Sequence, residues 1–252
     1  MLFRPTVMLF DLDGTLVATS GAGRAAIDAA FAALHGRVDA CSGFSMAGMT
    51  DKAIIRRALR DIGQRDDDAA VAAVLARYLD LLDGTLKQAK GLRVLDGVIP
   101  LLDLLAEFDG IALGLGTGNV RAGAQRKLGR AQLWHRFSFG GFGDDDESRP
   151  ALIRIAAERG AMALRAPLSV CKVVVIGDTA LDVAAARANG FRALAVASGP
   201  VPRTELEAAR PDHVCDSLAE RAAVDWLLDG RAGRGGKVAS SFRPAPKGAP
   251  SR

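Results

Sequence analysis

Three short runs of apolar residues punctuate the chain, at 6–10, 111–115 and 173–176, each free of charge and each ending in a polar cluster. Apolar side chains on consecutive rather than alternate positions suit strands buried on both faces of a parallel sheet. Between the runs, apolar residues recur at helical spacing, as in Val98, Leu101, Leu102 and Leu105, in Leu152, Ile153, Ala156 and Ala157, and around Val183 and Ala184 ahead of Arg187. Strand alternating with helix predicts right-handed crossovers and an α/β fold, a doubly wound parallel-sheet (Rossmann-like) core. Further strands are expected at 192–197, 212–215 and 137–140.

One stretch breaks the alternation. Residues 19–88 separate the first strand from the second by far more than a crossover helix needs. Their Ala-rich segments at 24–34, 51–62 and 66–86 have amphipathic helical periodicity, and Thr50 or Asp51 can cap the second of them. The simplest organisation is an inserted α-helical cap domain over 19–88, on a core made of 1–18 and 89–230, placed where the ligand site of an open α/β sheet lies. There is no internal repeat.

Composition supports a soluble globular protein with a sizeable core: 252 residues, 49% hydrophobic and 25% charged. The net charge of +4 suggests an anionic partner until its location is considered. Six of the 33 basic residues (Arg231, Arg234, Lys237, Arg243, Lys247 and Arg252) follow Gly230 with no acid among them, leaving 27 against 29 acids in the rest. That tail, 231–252, is rich in Gly, Ser, Pro and Arg and is expected to be disordered. No nucleic acid partner is expected. Cys41, Cys171 and Cys215 are odd in number and widely spaced, which argues against a disulfide framework and a zinc site and for a reducing compartment. The apolar run at 7–10 is too short for a signal sequence and no apolar stretch reaches ~18 residues, so a cytoplasmic protein without a membrane partner is expected.

The polar clusters that end the three runs carry the chemistry, because the carboxyl ends of parallel strands line the ligand crevice. They read Asp11-Leu12-Asp13-Gly14-Thr15, Gly116-Thr117-Gly118-Asn119 and Gly177-Asp178-Thr179-Ala180-Leu181-Asp182. If the strands are neighbours, Asp11, Asp13, Thr117 and Asp178 converge, and their oxygens could hold one hard cation. Buried carboxylates without a cation would repel each other. Taken singly, each cluster could be a plain turn or a helix cap. Their order, each directly after a strand, makes the combination specific.

This pattern, with a cation between the second and third clusters, resembles the haloacid dehalogenase superfamily over roughly residues 5–229, in its branch of phosphoglycolate-phosphatase-like enzymes. The resemblance implies that Asp11 attacks phosphorus to form an aspartyl-phosphate while Asp13 protonates the leaving oxygen and later activates water. It implies Mg2+ held by Asp11, the backbone carbonyl of Asp13 and Asp178, with Asp182 helping directly or through water. Gly14 fits a tight turn, Thr117 donates its hydroxyl to the phosphoryl group, and backbone groups around Thr15, Gly118 and Asn119 meet phosphate oxygens. Thr50 lies in the Gly-rich loop 43–51, which corresponds to the substrate-specificity region.

One position departs from the family. Where a lysine, commonly followed by proline, is usual, this chain has Arg149-Pro150. Arginine offers a planar fork rather than a point charge. Arg149 is the candidate cation, with Lys172 as the substitute and an exposed surface arginine as the plain alternative. The neighbouring acids, Asp144 to Glu147, read as a solvated loop. His35, His135 and His213 lie in no motif. Asp13 favours a phosphatase over a dehalogenase, and Lys52, the lone lysine between Asp13 and Leu86, is a poor candidate for phosphonate chemistry. The expected activity is hydrolysis of a small phosphorylated metabolite. A phosphomutase of the same fold and a non-catalytic binding protein are the alternatives.

Overall fold

The structure is a computed structural model that describes residues 4–228. The tail read as disordered, 231–252, lies outside the described residues.

Six parallel strands form the main sheet in the order β5-β4-β1-β6-β7-β8. They are β1 (Thr6–Phe10), β4 (Ile111–Gly116), β5 (Phe139–Gly141), β6 (Lys172–Gly177), β7 (Arg192–Val196) and β8 (His213–Cys215). The three apolar runs are thus three adjacent inner strands, β4, β1 and β6, with Leu9 in register with Gly114 on one side and Val175 on the other. All five residues of β1 are buried, and its side chains alternate between two cores. Met8 and Phe10 pack on one face with α4 (Val98–Ala106), α5 (Arg121–Arg130) and α9 (Arg221–Leu228). Val7 and Leu9 pack on the other with α6 (Arg149–Ala163), α7 (Ala180–Ala188) and α8 (Arg203–Ala208). Burial on both faces is why these strands read as unbroken apolar runs.

The long stretch after β1 folds as three helices, α1 (Ala22–His35), α2 (Asp51–Asp61) and α3 (Asp68–Gln88). They enclose an apolar cluster of their own, including Phe31, Ile55, Leu59, Tyr78 and Leu82. Thr50 and Asp67 cap α2 and α3 by accepting from the backbone N–H groups of Ala53 and Ala70. Two-residue strands, β2 (Val17–Ala18) and β3 (Arg93–Val94), pair antiparallel at the junction between this unit and the sheet. Among the described residues no helix is long and apolar enough to cross a membrane. All three cysteines are buried and free.

Candidate active site

The loop after β1 is set by its own backbone. Asp11 N donates to Ile176 O at 2.8 Å, Leu16 N to Leu12 O at 2.9 Å and Gly14 N to Val17 O at 2.9 Å. The turn gives Gly14 a φ of 80°, and a Cβ there would meet Asp178 Oδ2 at 2.1 Å. Only glycine combines that angle with that approach. A Cβ on Gly199, just past β7, would meet the same oxygen at 1.7 Å. The Asp178 carboxylate therefore sits between two bare stretches of backbone.

On one side of the loop three acids crowd together. Asp11, Asp178 and Asp182, all buried, present oxygens within 4.8 Å of one another. Burial pushes Asp178 up to about 8, and the charges of Asp11 and Asp182 add to the rise. Burial likewise raises Asp11 to about 6 against the pull of Arg149. Arg149, in the first turn of α6, lies 3.0 Å from Asp11 and 2.6 Å from Asp182, and its Nη1 donates to Gly48 O at 2.8 Å. One guanidinium against three carboxylates leaves net negative charge, and an all-oxygen donor set of this kind fits a hard divalent cation. Asp182 is the most committed of the three. Its Oδ1 accepts from Arg149, and its Oδ2 accepts from Thr179 N at 3.1 Å and Thr179 Oγ1 at 2.7 Å in a capping box of α7.

On the other side Asp13 is fully partnered. Its Oδ2 accepts from Lys127 Nζ at 2.6 Å and Asn119 Nδ2 at 3.0 Å, and its Oδ1 from Thr19 Oγ1 at 3.0 Å. Burial alone would raise its pKa, but the Lys127 charge and the three hydrogen bonds outweigh it and hold Asp13 below the ordinary carboxylate range. Asn119 also donates to Thr117 Oγ1 at 2.9 Å and accepts from Lys127 at 2.6 Å. Thr117 is fully buried, and its N–H donates to Gly141 O.

Both halves open into a cavity of about 670 Å³. Asp11, Asp13, Gly14, Gly118, Asn119, Arg149 and Asp178 line it from the sheet side. The helical unit contributes Arg24, Ile27, Ile54 and Tyr78, together with Ser45 to Met49 from the Gly-rich loop. Of the residues expected to act, Thr15, Thr50, Thr117 and Asp182 do not line it. Thr15 donates to Asp178 Oδ1 at 3.4 Å, and the Thr50 hydroxyl is engaged by Glu147 O at 3.1 Å.

Two expectations need correction. Lys172, held as a substitute for Arg149, starts β6 in register with Thr6, at the opposite end of the strands from Asp11, with its Nζ 5.8 Å from the ring of Trp226. The acidic run is solvated only in part: Asp144 and Asp146 are exposed, but each of the four acids has a partner. Asp144 accepts from Arg121 N, Asp145 from Arg159, Asp146 from Ser148 N, and Glu147 pairs with Arg56 of α2. These contacts tie the loop before α6 to the helical unit. Lys52, whose Nζ donates to Asp144 O, stays outside the cavity, as do the three histidines. The sequence reading missed Lys127, which sits on a helix it did not foresee, and Ser198, whose hydroxyl donates to Gly14 O at 2.7 Å. Ser198 lies two residues past β7, so the strand-end rule alone pointed to it.

The chain also resembles known proteins. The family described as haloacid dehalogenase-like hydrolase matches residues 8–196. The probable phosphatase IndB of Dickeya dadantii is 30% identical over 225 residues, 85% of this chain and 90% of that protein. Among solved structures, a predicted phosphatase from Clostridium acetobutylicum superposes with a TM-score of 0.68 at 19% identity, covering 90% of this chain and all of the other. CbbY from Rhodobacter sphaeroides, solved in complex with phosphate, has a TM-score of 0.68 at 22% identity and covers 88% of this chain.

Proposed function

Because the chain belongs to the haloacid dehalogenase-like hydrolases and is a phosphatase among them, we propose that it hydrolyses a small phosphate monoester through an aspartyl-phosphate on Asp11, with Mg2+ as cofactor. The observation that carries this is the two-sided site: Asp11 among the clustered acids with Arg149, and Asp13 on the far side with Asn119 and Lys127, both opening to one cavity.

Asp11, Asp178 and the backbone carbonyl of Asp13 would hold the metal, with Asp182 acting through water or by aiming Arg149. When bound, the ion neutralises phosphoryl oxygens that would otherwise repel a carboxylate nucleophile. Asp11 attacks phosphorus in line, the bond to the leaving oxygen breaks, and that oxygen takes its proton from Asp13, which must be protonated at this point and can take that proton from the monoanion of the ester as it binds. Water then gives its proton back to Asp13 as it attacks the acyl phosphate, releasing inorganic phosphate and free Asp11. Arg149 screens Asp11 and grips a phosphoryl oxygen, while Thr117, buried behind the cavity wall, holds the Asn119 amide that lines it. The helical unit serves as a cap, and a chamber of this size suits a small metabolite.

The test is phosphate release from a panel of phosphorylated metabolites and an aryl phosphate, with Mg2+ and after chelation. Metal-dependent release, with a phosphoenzyme that discharges to water, is expected. Release unaffected by chelation would sink the metal assignment, and discharge to a sugar phosphate in place of water would make the enzyme a phosphomutase.

A further inference from the structure

A buried lysine is tolerated only where its charge is met, because burial disfavours the ammonium form. Lys127 of α5 is 4% exposed. Its Nζ donates to Asp13 Oδ2 and to Asn119 Oδ1, both at 2.6 Å. Burial pulls its pKa down, but the charges of Asp13 from the β1 loop and Asp51 from the start of α2 prevail and hold it above the ordinary lysine value. The approach from α1 is equally close, since a Cβ built on Gly23 would lie 3.1 Å from Nζ and 3.4 Å from Cε. Gly23 has no unusual φ, so its lack of a side chain matters for space and not for backbone conformation. Lys127 is therefore enclosed by the β1 loop, the loop after β4 and the helical unit together.

We propose that Lys127 is a positioning residue for proton transfer by Asp13, and that Gly23 is a glycine so that α1 can close over the ammonium without displacing it. The proposal rests on Asp13 being the acid and base of the reaction. Lys127 and Asn119 grip one oxygen of the Asp13 carboxyl and Thr19 the other, which fixes the plane of the carboxyl. A proton must pass from that carboxyl to the leaving oxygen as the phosphorus–oxygen bond breaks. A shift of about 1 Å in such a group costs about 100-fold in rate.

Leaving groups separate this role from general support of the fold. An alkyl phosphate needs a proton on its departing oxygen, whereas dinitrophenolate leaves without one. For Lys127→Met, kcat/KM should fall about 100-fold on an alkyl phosphate and no more than about 5-fold on dinitrophenyl phosphate. Gly23→Ala should produce a smaller loss with the same selectivity, and no further loss in the Lys127→Met background, as a double-mutant cycle would show. Equal falls on both esters, or a Gly23→Ala effect that persists without Lys127, would overturn the proposal and leave the phosphatase reading standing. If Lys127→Met does not fold, Gly23→Ala decides: a loss confined to the alkyl ester supports the proposal and an unchanged ratio overturns it. No release from either ester by the unaltered enzyme would overturn the phosphatase reading and this proposal with it.

Discussion

Asp11 and Asp13 stand two positions apart on one loop, yet the protein treats them in opposite ways. Asp11 shares its surroundings with Asp178 and Asp182 and a single guanidinium, and its pKa is raised to about 6 by burial. Asp13 faces an ammonium, an amide and a hydroxyl, and is held below the usual carboxylate range although burial acts on it too. Each acid has one cation beside it, so the direction is decided by what else surrounds it: neighbouring carboxylates and deeper burial for Asp11, and hydrogen bonds from Lys127, Asn119 and Thr19 for the more exposed Asp13. The half with surplus negative charge is the half that suits a divalent cation, and the balanced half can handle protons without one. One loop thereby holds its two acids in opposite surroundings.

The comparison breaks most visibly at Asp11, the proposed nucleophile. Asp11→Asn keeps the shape and removes the attacking oxygen, so steady-state turnover should fall by at least about 10⁴-fold for every ester. Retained turnover measured by phosphate release would remove the aspartyl-phosphate from the mechanism. Asp13→Asn should separate the halves: about 10²- to 10⁴-fold lower kcat/KM on alkyl phosphates, with dinitrophenyl phosphate still able to phosphorylate Asp11 in a burst. A variant that loses both substrates equally would show that the two acids act as one unit.

How much of this was visible in the chain follows from what each half is built on. The crowded half stands on β1 and β6, whose apolar runs and polar ends matched the observed strands within a residue. The balanced half needs α5, where Gly123 and Gly129 interrupt a segment with four basic residues and few apolar ones. That helix is held by the packing of Ala124 and Leu128 against the sheet and not by any pattern of its own, so Lys127 stayed hidden. Strand order, the two-residue pair β2–β3, and the partners of the acidic run depend on contacts between distant segments, which local spacing does not encode. Thr50 shows the converse: the cap signal was legible, and its hydroxyl is taken up by that cap and by Glu147 O.

Arg149 tests whether the crowded half needs a fork. Its guanidinium reaches Asp11, Asp182 and Gly48 O at once, and an ammonium at the same position cannot span all three. Arg149→Lys should lower kcat by about 10- to 100-fold while the protein still melts cooperatively. Arg149→Met would leave the buried acids uncompensated and cost about 3–5 kcal/mol of stability by chemical denaturation. Full activity in the lysine variant would show that a point charge suffices there.

The smallest effect is the most specific to the comparison, because it concerns stability against pH and not rate. Asp178 has a folded pKa raised to about 8 from an ordinary 3.8, so between those values the folded chain holds a proton that the unfolded chain has released. The stability this contributes is fully present below the unfolded pKa and is lost as pH rises through the folded one. Asp11 acts in the same direction up to about 6. Chelated protein should therefore lose melting temperature steadily from about pH 4 to about pH 8. Mg2+ requires the ionised carboxylates, so its binding releases these protons, grows stronger with pH and flattens the slope, by about 2.7 kcal/mol when the ion is at 100 times its dissociation constant. Asp178→Asn should remove both the slope above about pH 6 and the response to Mg2+. Asp13→Asn should leave the Mg2+ response in place, since its carboxylate lies with Lys127 and not with the clustered acids. Loss of that response in Asp13→Asn would mean that the two halves share the ion and that the division between them is drawn in the wrong place.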